Sequence, residues 1–296
     1  LRFSGAVVAF SVLLGTSVAS AQGAPDFFPA RSLGFAGARS LASSVDAVFL
    51  NPAALGQTQQ YLLQLDYGHD TAPANETSQP LPTGNGIVVS VLDSKTNPRF
   101  PTGLSYRWIS LKDTNNKTVA GSIYDFAIAA SLFWNISLGL HVAYLSYSNV
   151  QTVTGDVGVL IPIGPVNISG VGFNLLQVMD PNAPRGFDAG ASLGDNKVYR
   201  VGFDFQRNWP YQDPKGPATP PTNLFTVGGE VTIASIVSVR AGLLWNQFAK
   251  LNPAQPQFVT AGLGFFYQFI GADVGYRREI STQANVFQFS VKISTG

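Results

Sequence analysis

The chain has 296 residues, with 18 basic and 17 acidic side chains and a formal net charge of +1. Only 12% of its residues are charged, against about 25% in an ordinary soluble domain, whereas Gly (30), Phe (21) and Tyr (10) are abundant; something other than water is expected to face much of the surface. The near-neutral balance gives no footprint for a nucleic-acid partner, and the absence of Cys excludes a disulfide scaffold, a thiolate metal site and a cysteine nucleophile.

Residues 1–21 read as a signal peptide. Arg2 precedes an apolar core from Ala6 to Leu14, and Ala19-Ser20-Ala21 is a small-residue cleavage site. The alternative, a membrane-spanning anchor, needs ~20 apolar residues, and no window here or downstream reaches that length. Membrane insertion therefore has to use strands.

Residues 22–59 show no period-two alternation. From Ser40 to Leu50, the residues Leu41, Val45, Val48 and Phe49 fall near helical spacing, and the run ends at Asn51-Pro52, where proline breaks a helix. The spacing predicts a short helix followed by a turn, read as an internal plug; the alternative is a disordered periplasmic tail.

From Tyr61 to Ile293 the chain alternates in fourteen segments of about ten residues, punctuated by Gly, Pro, Asn and Asp. Tyr124, Phe126, Ile128 and Leu132 alternate with Asp125, Ala127, Ala129 and Ser131. Tyr199, Val201, Phe203 and Phe205 alternate with Arg200, Gly202, Asp204 and Gln206. In the last segment Phe287, Phe289, Val291 and Ile293 alternate with Gln288, Ser290 and Lys292. The polar face of a soluble sandwich is rich in Lys and Glu. Here it is mostly Gly, Ser, Ala and Asn with isolated charges, and the apolar face is aromatic and aliphatic throughout, which is the inverted pattern of a transmembrane barrel. Because lipid offers no hydrogen bonds, such strands can span only as a closed sheet. The predicted fold is an all-β, fourteen-stranded antiparallel transmembrane β-barrel over residues 60–296, behind an N-terminal helical plug at 22–59.

Connection lengths fit that topology. Long outer loops are expected at His69–Asn85, Leu111–Gly121, Gln177–Pro184, Trp209–Thr222 and Gln247–Pro256, and short periplasmic turns at 161–164, 194–197 and 234–235. Tyr61, Tyr67, Trp108, Trp134, Tyr144, Tyr147, Trp245, Tyr267 and Tyr276 suit two interfacial girdles. Fourteen tilted strands close to a diameter of roughly 25–30 Å, more than wall side chains alone can fill.

The inward phase carries Arg107, Asp125, Asp188, Arg200, Asp204, Glu230, Arg240, Asp273 and Arg277. Glu230 and Arg240 flank the tight Ala234-Ser235 turn in a register that sets them opposite one another. By the same arithmetic Arg107 matches Asp125 and Asp188 matches Arg200, while Arg200 and Asp204, like Asp273 and Arg277, lie four apart on one strand face. These lumen charges read either as a constriction that filters solutes or as a ladder that keeps buried charges paired. Ser137 and His141 share one strand face, but about 13 Å separates them, too far for a nucleophile and its base; His141 reads as a lumen hydrogen-bonding group. No enzyme activity, metal or cofactor is expected.

The stretch from Ala38 to Leu55, ARSLASSVDAVFLNPAAL, resembles the N-terminal signature of the outer-membrane long-chain fatty-acid transporter (FadL-like) superfamily, in which a Gly/Ala-rich helical segment runs into an Asn-Pro-Ala turn. The blocks Gly155–Leu160, Gly172–Leu175, Val227–Val231, Val239–Gly242, Gly262–Phe265 and Ala272–Tyr276 resemble the same superfamily, especially its shorter, shuttle-like (PorV-like) barrels of type IX secretion. The resemblance implies a lumen plug whose turn is Asn51, Pro52 and Ala53, and sideways exit of small apolar molecules into the membrane. The outer loops here are shorter and more polar than a fatty-acid capture groove requires. The expected function is passage of small hydrophobic or amphipathic molecules across the outer membrane by plug movement, with outer-membrane lipid and a hydrophobic solute as partners. The alternative is a non-transporting barrel that docks an envelope protein complex for secretion or surface motility.

Overall fold

The computed structural model describes residues 29–71, 83–112, 118–132, 135–147, 150–176, 185–194, 198–209, 221–246, 257–280 and 283–295. The signal peptide expected at 1–21, the start of the 22–59 segment, Trp134, the side chain of Tyr147 and the tips of most of the expected long loops lie outside these residues.

Each alternating segment is a strand: β1 (Tyr61–Thr71), β2 (Thr83–Asp93), β3 (Thr102–Lys112), β4 (Thr118–Ser131), β5 (Ser137–Tyr147), β6 (Val150–Ile163), β7 (Val166–Phe173), β8 (Gly186–Gly194), β9 (Tyr199–Asn208), β10 (Thr222–Ile233), β11 (Val237–Asn246), β12 (Phe258–Tyr267), β13 (Ile270–Glu279) and β14 (Asn285–Thr295). Every strand pairs antiparallel with its sequence neighbours, and β1 pairs with β14 from Tyr61 opposite Thr295 to Thr71 opposite Asn285, closing the sheet. All strands but the eight-residue β7 have at least nine residues, the length a tilted strand needs to cross a bilayer core, about 9–11.

The pleat sorts the side chains as the alternation predicts. Along β1, Tyr61, Leu63, Leu65 and Tyr67 are exposed on the outer face, while Leu62, Gln64 and Asp66 are buried inside. Leu138, Leu140, Val142 and Tyr144 of β5, and Tyr199, Val201 and Phe203 of β9, also face outward. A closed barrel with an apolar, aromatic exterior and a polar interior spans a membrane: it leaves no unpaired edge in lipid, and its exterior has no other apolar cover. Among the described residues no helix is long and apolar enough to cross a membrane.

Both termini of the barrel lie at one end, where 164–165, 234–236 and 268–269 are short turns; the longer links 72–82, 174–185, 209–221 and 247–257 join strand ends at the opposite end. At the tight turn, Ala234 and Ser235 both take positive φ (52° and 58°), a conformation rare for residues with a Cβ.

Residues 29–57 lie inside. The single helix expected over Ser40–Leu50 is instead a chain of short pieces: α1 (Ala30–Gly34), a 3₁₀ turn (Arg39–Leu41), α2 (Asp46–Phe49) and a 3₁₀ helix (Pro52–Gln57). Ser44 takes φ 59° and breaks the run. Pro52 both stops α2 and opens the next helix from its first position, where its fixed φ and missing N–H cost nothing. Asn51 caps that helix by accepting from the Ala53 N–H (3.1 Å). The segment touches the wall on many sides: α1 against β11–β14, the 39–41 turn against β7–β9, α2 against β3 and β4, and Pro52–Gln57 against β4–β6. The apolar core of the protein forms there, where Phe35, Leu41, Val45, Val48, Phe49 and Leu55 meet Leu62, Val88, Leu92, Ala127 and Leu160 of the wall.

Candidate functional site

The candidate site is the lumen, and glycines set how closely its contents approach the wall. Gly202, Gly228, Gly242, Gly262 and Gly275 form an inward belt across β9–β13, where Gly202 faces Gly228, Gly228 faces Gly242 and Gly262 faces Gly275. A Cβ on Gly228 would meet the Phe35 carbonyl oxygen at 2.5 Å, one on Gly242 the Phe35 carbonyl carbon at 2.6 Å, and one on Gly202 the Ser40 Oγ at 2.5 Å. The backbone from Ala30 to Leu41 therefore lies directly on the sheet. On the other side Gly139 and Gly158, opposite each other on β5 and β6, receive the Asn51-Pro52-Ala53 turn; a Cβ on either would run into it.

The same surfaces carry an alternating ion chain. Arg31 binds Asp46 and donates from Nη2 to Glu230 Oε1 (2.9 Å) and from Nε to Oε2 (3.2 Å). Arg240 donates from Nε to Glu230 Oε2 (2.5 Å) and from Nη1 to Asp273 Oδ1 (2.7 Å), and Lys292 Nζ donates to Asp273 Oδ2 (2.7 Å). Burial works to lower the pKa of Arg31, but Glu230 and Asp46 more than offset this and hold its guanidinium above the ordinary arginine value. The Arg240–Asp273 pair reaches over β12 at Gly264, the register partner of Asp273; a Cβ there would lie 2.6 Å from Arg240 Nη2 and inside contact with Asp273. Three further bonds tie segment to wall: the Ala30 N–H donates to Asp66 Oδ1 (3.1 Å), and Ser40 donates from its N–H and Oγ to Asp204 (3.0 Å each).

A second cluster lies on β3–β6. Arg107 grips Asp125 with two bonds (2.9 and 2.6 Å), although the register sets Ser105, not Arg107, opposite Asp125, so the pair is diagonal. His141 stands between Asp125 (Nε2, 3.1 Å) and Asp156 (Nδ1, 2.9 Å), and Asp156 also accepts from the Asn174 N–H (2.7 Å). Both ring nitrogens of His141 are thus engaged by carboxylates, and Ser137 sits elsewhere, opposite Ser131 and Leu160.

Of the other pairs read from the sequence, Glu230 and Arg240 are direct register partners. Asp188 and Arg200 are not brought together. The β8–β9 register sets Asp188 opposite Gln206 and Arg200 opposite Gly194, six positions away from the pairing that would match them. Arg200 faces Glu230 on β10 instead. Arg200 and Asp204 make no ion pair, and neither do Asp273 and Arg277; Arg277 lies over the Phe258 ring at 4.3 Å. Sequence reasoning missed Arg31, Asp46, Asp66, Asp156 and Lys292 as members of these clusters. The strand residues among them share the inward phase and could have been found from it. Arg31 and Asp46 sit in a segment without period, where nothing local marks a partner on a distant strand.

No protein-family model and no curated protein sequence matches the chain. Solved structures do. The monoaromatic hydrocarbon channel CymD aligns over 90% of this chain and 96% of its own, at 15% identity and a TM-score of 0.65. The toluene transporter TbuX of Ralstonia pickettii aligns over 90% and 97%, at 12% identity and 0.66. A FadL homologue of Pseudomonas aeruginosa aligns over 93% and 99%, at 12% identity and 0.63. This chain has the FadL-type barrel fold. The shuttle-like side of the resemblance rests on the sequence blocks alone.

Proposed function

We propose that the protein is an outer-membrane channel for small hydrophobic or amphipathic molecules, with the segment 29–57 as a plug that moves to open it. The observation that carries this reading is the uneven lining of the lumen: ions and glycines bind α1 to β10–β14, whereas Val48, Phe49 and Leu55 of the segment share an apolar seam with Leu62, Val88, Leu92 and Leu160 of β1, β2 and β6. Displacing the plug along that seam exposes apolar surface, which favours an apolar solute. The shared fold supports the reading, since its neighbours include proteins described as hydrocarbon channels and a toluene transporter. Asn51, Pro52 and Ala53 serve as the turn on which the plug is seated, and the wall charges hold it in place without filtering solutes.

Proteoliposome uptake of toluene tests this. Uptake above protein-free vesicles, altered by deletion of residues 22–50, is the expected result. Uptake indistinguishable from protein-free vesicles, together with a stoichiometric envelope protein on co-purification, would favour a docking platform instead.

A further inference from the structure

The ion chain leaves one cation over. Arg200 is among the largest fully buried side chains, 2% exposed. It donates from Nη1 to Ser43 Oγ (3.3 Å), its Nη2 has no partner, and among the described residues no carboxylate lies within ion-pair distance of it. A buried guanidinium in that state is costly. Yet the register sets Arg200 directly opposite Glu230 on one side and Arg240 opposite Glu230 on the other, a separation of about 5 Å between Cβ atoms that ordinarily yields a cross-strand ion pair. Glu230 does not take Arg200 because Arg31 and Arg240 already occupy both of its oxygens.

We propose that Glu230 is the shared acceptor of a charge-exchange latch: Arg31 holds it while the plug is seated, and Arg200 replaces Arg31 when the plug leaves the wall. The inference rests on the reading that the plug moves. Arg31 takes its own counterion with it, because Asp46 belongs to the same segment. Asp273 keeps Arg240 and Lys292, both on the wall. Ser43 leaves with the plug and frees the other edge of the Arg200 guanidinium. Asp46, Glu230 and Asp273, the carboxylates of this ion network, therefore each keep a cation in both arrangements, and release exchanges an unpaired Arg200 for a paired one. The glycine belt, the apolar seam and the bonds of Ala30 to Asp66 and of Ser40 to Asp204 oppose release, and the waiting arginine lowers its cost.

The chain has no Cys, so Ser32→Cys, on α1 and fully buried, supplies a single thiol whose maleimide labelling in bilayers reports plug release. Arg200→Met removes the waiting partner and leaves the seated ion pairs intact; labelling should slow about tenfold, the effect of losing one charge-assisted bond from the released state. Arg200→Lys should restore it towards the parent rate, and Arg31→Met should raise it about tenfold. If Arg200 serves only to hold the seated structure together, Arg200→Met labels faster. Equal or faster labelling in Arg200→Met, with folding verified by gel mobility, overturns the latch. Should that variant fail to fold, unchanged labelling in Arg31→Met overturns it. Toluene uptake on the same vesicles separates the two readings: the expected labelling signs without uptake keep the latch and sink the channel, and uptake without those signs sinks the latch alone.

Discussion

At Asn51 one side chain does three jobs that the sequence shows only in part. Its oxygen caps the helix that Pro52 opens, its amide lies 3.5 Å from the Val159 carbonyl, and its bulk fits only because Gly158 lacks a Cβ. Replacing a cap of this kind by alanine costs about 1 kcal/mol. Asn51→Ala should lower the stability of the refolded protein by that amount in urea titrations. The Asn-Pro pair was legible as a helix stop; its docking place was not, because Gly139 and Gly158 lie about a hundred residues downstream and look locally like two of many strand glycines. Charged residues behave likewise. Glu230 and Arg240 are near in sequence and their tight turn fixes the register, so their pairing could be read directly. Asp188 and Arg200 lie six positions out of register, and Arg31 and Glu230 are 199 positions apart, so neither relation could be read locally.

Among the elements, β9–β13 are built to receive a polypeptide backbone. Their inward glycines stand in two register runs, Gly202–Gly228–Gly242 and Gly262–Gly275, and the backbone from Ala30 to Phe35 lies on the last four of them, so adding one methyl there is overpacking, worth about 1–3 kcal/mol. Gly228→Ala should destabilise the barrel by that much, whereas Gly229→Ala, whose Cβ would point outward and meet nothing closer than 3.4 Å, should be near neutral. Equal urea midpoints for the two variants would show that the segment is not seated on the belt. The outer face of the same strands carries the opposite design: Phe205 and Phe225 pack at 5.3 Å, and Phe225 stacks on Trp245 at 5.4 Å, a continuous aromatic surface turned toward lipid. Alternation announces both faces, since period two is a property of any extended chain. The short helices were harder to read. A helical spacing from Leu41 to Phe49 is present, yet Ser44 turns the chain left-handed, and the pieces on either side of it reach β7–β9 and β4–β6.

For the whole molecule, the decisive property is that the apolar side faces out. Leu140 is 54% exposed on β5, and Leu140→Arg should cost about 2–4 kcal/mol of folding stability in a bilayer, as arginine does near the midplane of a transmembrane barrel. Folding into vesicles, followed by the mobility shift of the compact form on unheated gels, measures this; a variant that folds as well as the parent would contradict the membrane orientation. By itself, the sequence determined the strand number, the two faces of every strand and the need for closure, because alternation and unpaired backbone groups in lipid act locally and leave one solution. Only the tertiary structure decided what fills the barrel and how it is held. The register from β8 to β9, the fit of backbone on glycine and the choice of Arg31 over Arg200 by Glu230 were settled by packing between residues up to about two hundred positions apart, which no local pattern encodes.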